Sequence, residues 1–311
     1  MIQIFRTDNY QINKLTEIVP DSWIHLVAPT EEEIALVSEK LSLEPDFLRA
    51  ALDEEERSRL EIEEGNVLIL VDTPIVEVDG DTYVYSTLPL AVILTKTNLV
   101  TVSLKDITLL KYFYDLRVLG FSTKKRNRFI LQILYRNATL YLSYLKQVDK
   151  ASTKVQMELH KSMKNKELIQ MLQLEKSLVY FSTSLKGNEI VMEKLLRQQF
   201  IKAYPDDEDL LEDVIIENKQ AIEMCQIYMD ILSGTMDAFA SVISNNLNIV
   251  MKLLTSITIV LTIPTIIGSL WGMNVKGIPF ADNALGFWIV VGIALGMSII
   301  GAIYMFRKKM L

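Results

Sequence analysis

The chain has 311 residues, 50% of them hydrophobic, with a mean hydropathy of +0.23 and a formal net charge of −7. The charge is unevenly divided: residues 1–250 hold 27 basic and 38 acidic side chains, whereas 251–311 hold five and one, so the hydrophilic part lacks the basic footprint that nucleic acid requires. One cysteine, Cys225, and two histidines, His25 and His160, exclude an intrachain disulfide framework and a Cys/His metal cage.

In chain order, the opening MIQIFRTDNY lacks the basic and apolar regions of a signal peptide, which predicts that the acidic part stays in the cytosol. Residues 1–120 read as a cytosolic α/β domain, with strands predicted at 3–6, 23–27, 67–75, 82–88, 90–95 and 99–103. Asp79-Gly80-Asp81 carries the turn chemistry of a hairpin. Helices are predicted at 31–41, introduced by Thr30 with acids in its first turn, and at 45–52. No Gly-rich phosphate loop, nucleophile elbow, HExxH or spaced Ser/His/Asp set occurs, so no enzymatic role is expected. Residues 121–204 read as an antiparallel helical hairpin, 124–160 against 165–199, turning near 161–165. Pro205 starts a further helix, with Asp206, Asp207, Glu208 and Asp209 set against its N-terminal dipole. Nothing stops that helix before residue 274, so 205–252 reads as a stalk entering the membrane.

Between Lys252 and Lys276 lie 23 uncharged residues, 253–275, and between Asp282 and Arg307 lie 24 more, 283–306. At ~1.5 Å per residue each spans a hydrocarbon core of about 30 Å. The basic tail 307–311, with Arg307, Lys308 and Lys309, places both termini in the cytoplasm by the positive-inside bias and leaves a short external loop at 276–282. Trp271, Phe280, Phe287 and Trp288 fall at the outer interface as aromatic anchors.

The first span carries a stripe: Thr255, Thr258, Thr262, Thr265 and Ser269 recur at steps of 3, 4, 3 and 4. The same steps run back through Met251, Asn248, Ser244, Ser241 and Asp237 and forward to Gly272. Close helix packing and a wet pore lining both explain such a stripe, and its passage across the membrane boundary favours the second. Pro264 interrupts the span's hydrogen bonding, and a neighbouring hydroxyl or water is expected to satisfy the freed carbonyl. Two helices cannot enclose a pore, so conduction requires several copies of the chain.

At the outer end of this span stands Trp271-Gly272-Met273-Asn274-Val275, followed by Lys276-Gly277-Ile278-Pro279. This resembles the Gly-Met-Asn signature of the CorA-type magnesium channels, in which an aromatic precedes the tripeptide and a proline follows. The position at the exit of the first of two C-terminal spans, the basic tail and the long preceding helix agree with it. Ser22-Trp23-Ile24-His25-Leu26 resembles the family's early Trp strand, and 91–95 with 99–102 its strand pair. The resemblance implies a homopentameric funnel: an α+β cytosolic domain, a long helical stalk and two transmembrane helices, in the cell membrane. It implies a selectivity filter at Gly272, Met273 and Asn274, and pore-facing or pore-flanking places at Asn248, Met251, Lys252, Leu254 and Thr265.

The residues themselves fit that chemistry. Residues 245–311 contain no His, Cys or Glu, so a passing ion meets amide, hydroxyl and carbonyl oxygens, which suit a small hard cation held through its water. Met251 and Leu254 are candidates for a constriction that closes by dewetting. Mg2+ is the expected cargo, with Co2+ or Ni2+ admitted, and the membrane potential drives entry by about 2.3 kcal/mol per charge per 100 mV.

In the family, cytosolic Mg2+ closes the channel by bridging acids of neighbouring subunits. Asp237 matches the stalk-side sensor, but the partner acid is replaced by Ala50, leaving Asp53 one turn later as the nearest substitute; the run 53–56 reads equally as a solvated helix end. The hairpin tip, often acidic in the family, carries Lys161, Lys164 and Lys166, and the loop lacks the family's Glu after proline, with Asp282 left to attract cations. Two other functions stand beside the Mg2+ channel. One is a ZntB-like Zn2+ transporter, suggested by the loop's Gly-Ile-Pro. The other is a non-conducting membrane-tethered coiled-coil scaffold.

Overall fold

The computed structural model describes residues 1–8, 11–80, 82–162, 165–198, 205–280 and 283–308. The chain divides into two compact units, Met1–Thr235 and Met236–Leu311.

The first unit is built on a seven-stranded sheet of order β2-β1-β3-β7-β6-β5-β4. Its strands are β1 Ile2–Asp8, β2 Gln11–Leu15, β3 Trp23–Val27, β4 Arg59–Glu63, β5 Asn66–Asp79, β6 Thr82–Leu94 and β7 Leu99–Ser103. Only β3 and β7 pair in parallel, and both sit mid-sheet as near-continuous apolar runs, as burial on two faces demands. β5 and β6 form one long hairpin with Asp79 opposite Thr82; Asp81 of the expected turn lies outside the described residues. The expected break between 82–88 and 90–95 is absent: β6 runs straight through Pro89. Pairing of β6 with β7 ends at Leu90 opposite Ser103, so the proline sits one residue past that ladder, where its missing N–H leaves no partner short.

Helices cover both faces of the sheet. On one lie α1 Glu31–Leu41, α2 Pro45–Arg49 and a 3-10 turn, Ala50–Leu52. Thr30 Oγ1 accepts from Glu33 N at 3.3 Å while Glu33 Oε2 accepts from Thr30 N at 2.9 Å, a reciprocal cap that starts α1 where its sequence does. Ile34, Val37, Phe47 and Leu48 pack there against Ile24, Leu68 and Val100. On the other face lie α3 Thr108–Tyr114, α4 Arg126–Ser162 and α5 Asn165–Leu196. Trp23 is wholly buried there, its ring 5.1 Å from Phe129, with its Nε1 donating to Thr101 Oγ1 at 2.8 Å. His25 is buried beside it, and that burial pushes its imidazole down to about 4. Asn188 of α5 stitches helix to sheet, its Oδ1 accepting from Asp72 N and its Nδ2 donating to Asp72 O, both at 2.8 Å.

The last two helices are α6 Pro205–Trp271, of 67 residues, and α7 Gly286–Arg307. At 1.5 Å per residue α6 is ~100 Å long. It ends at Trp271, so 272–275 continue as turn and irregular chain and not as helix. Strands β2 and β4 and helix α3 are additional to the expected elements. Of the expected hairpin tip, Met163 and Lys164 lie outside the described residues.

Candidate functional site

The candidate residues of the second unit lie on α6, on the turn after it and at the end of α7. Along residues 251–271 of α6 the less exposed positions are Ser256, Val260, Ile263, Pro264, Ile267 and Trp271. These face α7, where Gly301 approaches so closely that an added Cβ would stand 3.1 Å from Ile263 Cδ1. The stripe residues Asn248, Met251, Leu254, Thr255, Thr258, Thr262, Thr265, Ser269 and Gly272 are all exposed. At 3.6 residues per turn the two sets occupy opposite sides of α6. One side is covered by the chain's own second span, and the other is left open along the whole apolar segment.

The hydroxyls on the open side are anchored to their own helix. Thr258 Oγ1 donates to Leu254 O at 2.8 Å, Thr262 Oγ1 to Thr258 O at 2.7 Å and Thr265 Oγ1 to Leu261 O at 3.0 Å. Each hydrogen is thereby consumed, and the oxygen lone pairs remain as acceptors on the exposed side. The Thr265 bond reaches Leu261 O, not Val260 O, the carbonyl that Pro264 deprives of its amide, so the expected hydroxyl repair falls one residue aside.

Beyond the helix, Gly272 N still bonds Gly268 O at 2.9 Å, and an added Cβ at Gly272 would lie 3.2 Å from the same oxygen. Met273 and Asn274 follow in open chain, both exposed. The turn is fixed by two devices that the spacing of residues did not reveal. Trp271 Nε1 donates to Pro279 O at 3.0 Å, folding the loop back onto the helix end. Gly286, the first residue of α7, lies against the Phe280 carbonyl, with no room for a Cβ. The Trp, Pro and Gly were visible as residue types, but only the loop path brings them together. Asp282 lies outside the described residues, as does Lys309, while Arg307 and Lys308 are exposed at the end of α7.

The two candidate sensor acids belong to different units. Asp237 is exposed on α6. Asp53 is exposed just after the 3-10 turn, its Oδ1 accepting from Glu55 N at 3.0 Å. Ala50, at the position where the resemblance implies an acid, is buried in the α1/α2 core, 6% exposed, so a carboxylate there would be desolvated. Among the described residues no group of three or more His, Cys, Asp or Glu side chains is placed to hold a metal ion. Both long helices are apolar enough to cross a membrane, and only 6% of the most apolar window of each is buried.

The family model described as CorA-like Mg2+ transporter protein matches residues 22–308. The cobalt/magnesium transport protein CorA of Methanocaldococcus jannaschii is 28% identical over 300 residues, 92% of this chain and 90% of its own. The complete structure of the CorA magnesium transporter from that organism matches with a TM-score of 0.85 at 25% identity, covering 99% of this chain and 98% of the other. The ZntB cytoplasmic domain from Vibrio parahaemolyticus shares the fold alone, with a TM-score of 0.60 at 10% identity over 79% of this chain and 97% of its own. With the family matched across both the sheet domain and the two spans, the chain belongs to the CorA-like Mg2+ transporter family, a family of membrane transporters and not of enzymes.

Proposed function

We propose that this chain forms a homopentameric cation channel in the cell membrane that carries Mg2+, and also Co2+, passively into the cell. The observation that carries the reading is the open side of α6. Acceptor oxygens of Thr258, Thr262 and Thr265 line it, and it runs without a charge to Gly272, Met273 and Asn274. Copies arranged about an axis with these sides inward would wet the path, while α7 of each copy faces lipid. A hydrated Mg2+ keeps several waters, and neutral oxygens at hydrogen-bonding distance from that shell let it pass without the tight binding that would trap it. Rings of Gly272 carbonyls and Asn274 amides form the filter, and Met251 and Leu254, with apolar side chains 52% and 57% exposed, close the path by dewetting at its cytoplasmic end. Both termini face the cytoplasm, with Arg307, Lys308 and Lys309 at its membrane surface. Zn2+ and Ni2+ are poorer cargo, since 245–311 offers no imidazole or thiolate.

For regulation, Asp237 and Asp53 hold cytosolic Mg2+ between neighbouring copies. Among the described residues neither place gathers three acids of one chain to hold a metal ion, so a hard cation there draws on acids from two chains, and its occupancy reports the cytosolic concentration.

The test is Mg2+ influx into proteoliposomes loaded with a fluorescent Mg2+ indicator. Wild type is expected to conduct, and Asn274→Ala to lose at least tenfold of its preference for Mg2+ over Na+. Unchanged selectivity in the variant contradicts the filter, and absence of flux in the wild type leaves the scaffold reading standing in its place.

A further inference from the structure

The first unit holds two adjoining cavities. The larger, about 480 Å3, is lined by Lys124, Lys125, Arg126 and Arg128 at the start of α4 and by Asp206 and Asp207 at the start of α6. The smaller, about 250 Å3, is lined by Arg117, Arg136, Gln132 and Tyr135 beside apolar Leu119 and Leu210. Arg128 borders both, and its guanidinium holds the buried Asp207 carboxylate at 3.2 Å. Six cations thus face two carboxylates, in a chain whose acids outnumber its bases 39 to 32.

Internal pairing accounts for part of this charge. Lys124 reaches Asp8 at 3.3 Å and Arg117 reaches Asp115 at 3.0 Å, while Arg126 donates to Thr95 O at 2.6 Å. Lys125 and Arg136 form no ion pair among the described residues, Arg136 lying over the Tyr112 ring at 5.6 Å. In the smaller cavity Gln132 Oε1 is buried without a hydrogen-bond partner, an acceptor that a ligand N–H would satisfy.

The cavities differ in character, and a ligand that fills both must be bipartite. The first is a nest of guanidinium and ammonium groups, which recognise phosphate oxygens. The second has an aromatic ring, apolar side chains and an orphan acceptor, which suit a flat base bearing an amine. Asp206, exposed at the rim of the first, would repel a bare polyphosphate but favour one carrying a divalent cation with its water. We propose that the two cavities form one binding site for a nucleoside polyphosphate bound as its Mg2+ complex. The phosphates lie among Lys124, Lys125, Arg126 and Arg128, Asp206 faces the chelated ion, and the base lies by Tyr135 with its exocyclic amine donating to Gln132.

The test is calorimetric titration of the full-length protein in detergent with ATP, and separately with inorganic tripolyphosphate, at constant free Mg2+. ATP is expected to bind saturably at one per chain, tripolyphosphate at least tenfold more weakly. The Lys125→Ala/Arg136→Ala double variant is expected to bind ATP at least tenfold more weakly, with thermal unfolding in the absence of ATP unchanged. If the double variant unfolds early, Lys125→Glu alone, at an exposed side chain, is expected to give the same loss. No saturable ATP binding, or ATP binding by these variants at wild-type strength, overturns the site; equal binding of tripolyphosphate overturns the nucleoside.

Discussion

The two units of this protein solve the burial of apolar side chains in opposite ways. In Met1–Thr235, Trp23, Ile24, Leu26, Leu68, Leu70 and Phe129 are fully buried, between the sheet and the helices on its two faces. In Met236–Leu311, Leu254 is 57% exposed, Leu261 63%, Trp288 68% and Ile300 67%, and no packing among the described residues covers them. The first unit covers its own core, whereas the apolar side chains of the second are left to surroundings outside the chain, lipid on one side and, on the proposed reading, other copies on the other. The exposed apolar surface of the spans is therefore a statement about solvent, and the exposed hydroxyls among it are the part that the proposed pore takes up.

The sharpest break of that contrast is to remove one tryptophan from each unit. Trp23→Ala deletes a side chain packed against Phe5, Phe121 and Phe129 and leaves Thr101 without its donor, and is expected to cost roughly 3–5 kcal/mol. Trp288→Ala is expected to leave the unfolding of the first unit within about 0.5 kcal/mol of wild type. Urea titrations followed by far-UV circular dichroism read both; equal losses would mean that the units fold as one.

A smaller effect comes from pH. His25, pushed down to about 4 by burial, is neutral in the folded unit at pH values where the unfolded chain, near 6.5, already binds a proton. Its stabilising contribution is thus complete above about 6.5 and lost as pH falls toward 4, by up to about 3 kcal/mol. His25→Phe is expected to flatten that part of a plot of unfolding temperature against pH, and an unchanged slope would place the acid sensitivity elsewhere. Smaller again is Asn188→Ala, which strips Asp72 N and the Ser58 hydroxyl of their acceptor and is expected to cost about 2 kcal/mol in the same urea titration.

Much of this architecture was legible in the residues. α1 begins where Thr30 and Glu33 cap it, and β3 coincides with the Trp-Ile-His-Leu-Val run because every position but the last is buried. β2 and β4 were not read from the residues: they form the sheet's two edges, half exposed, where Gln-Ile-Asn-Lys-Leu breaks the alternation and Arg-Leu-Glu-Ile-Glu keeps it over only two apolar residues. α3 is short and has no side-chain cap at Ile107, so its apolar residues show no boundary. In the second unit the periodicity of the hydroxyls identified one side of α6, but not that α7 covers the other. Nor did it show that the helix stops at Trp271, where the Pro279 carbonyl takes the indole N–H. Those facts belong to the path of the loop, which local residue chemistry does not encode.

The central claim is that the hydroxyl side of α6 faces water and ions. It is tested most directly by single cysteines along one helical turn, read by the block of Mg2+ flux with a charged, membrane-impermeant thiol reagent. The native Cys225 is buried, bonded to Leu178 O, and its thiol is pushed up to about 12, so it contributes little background. Thr262→Cys is expected to be modified and flux to fall at least tenfold, while Ile263→Cys, on the side covered by α7, is expected to conduct through the treatment. Block at Ile263→Cys with Thr262→Cys untouched would contradict the account.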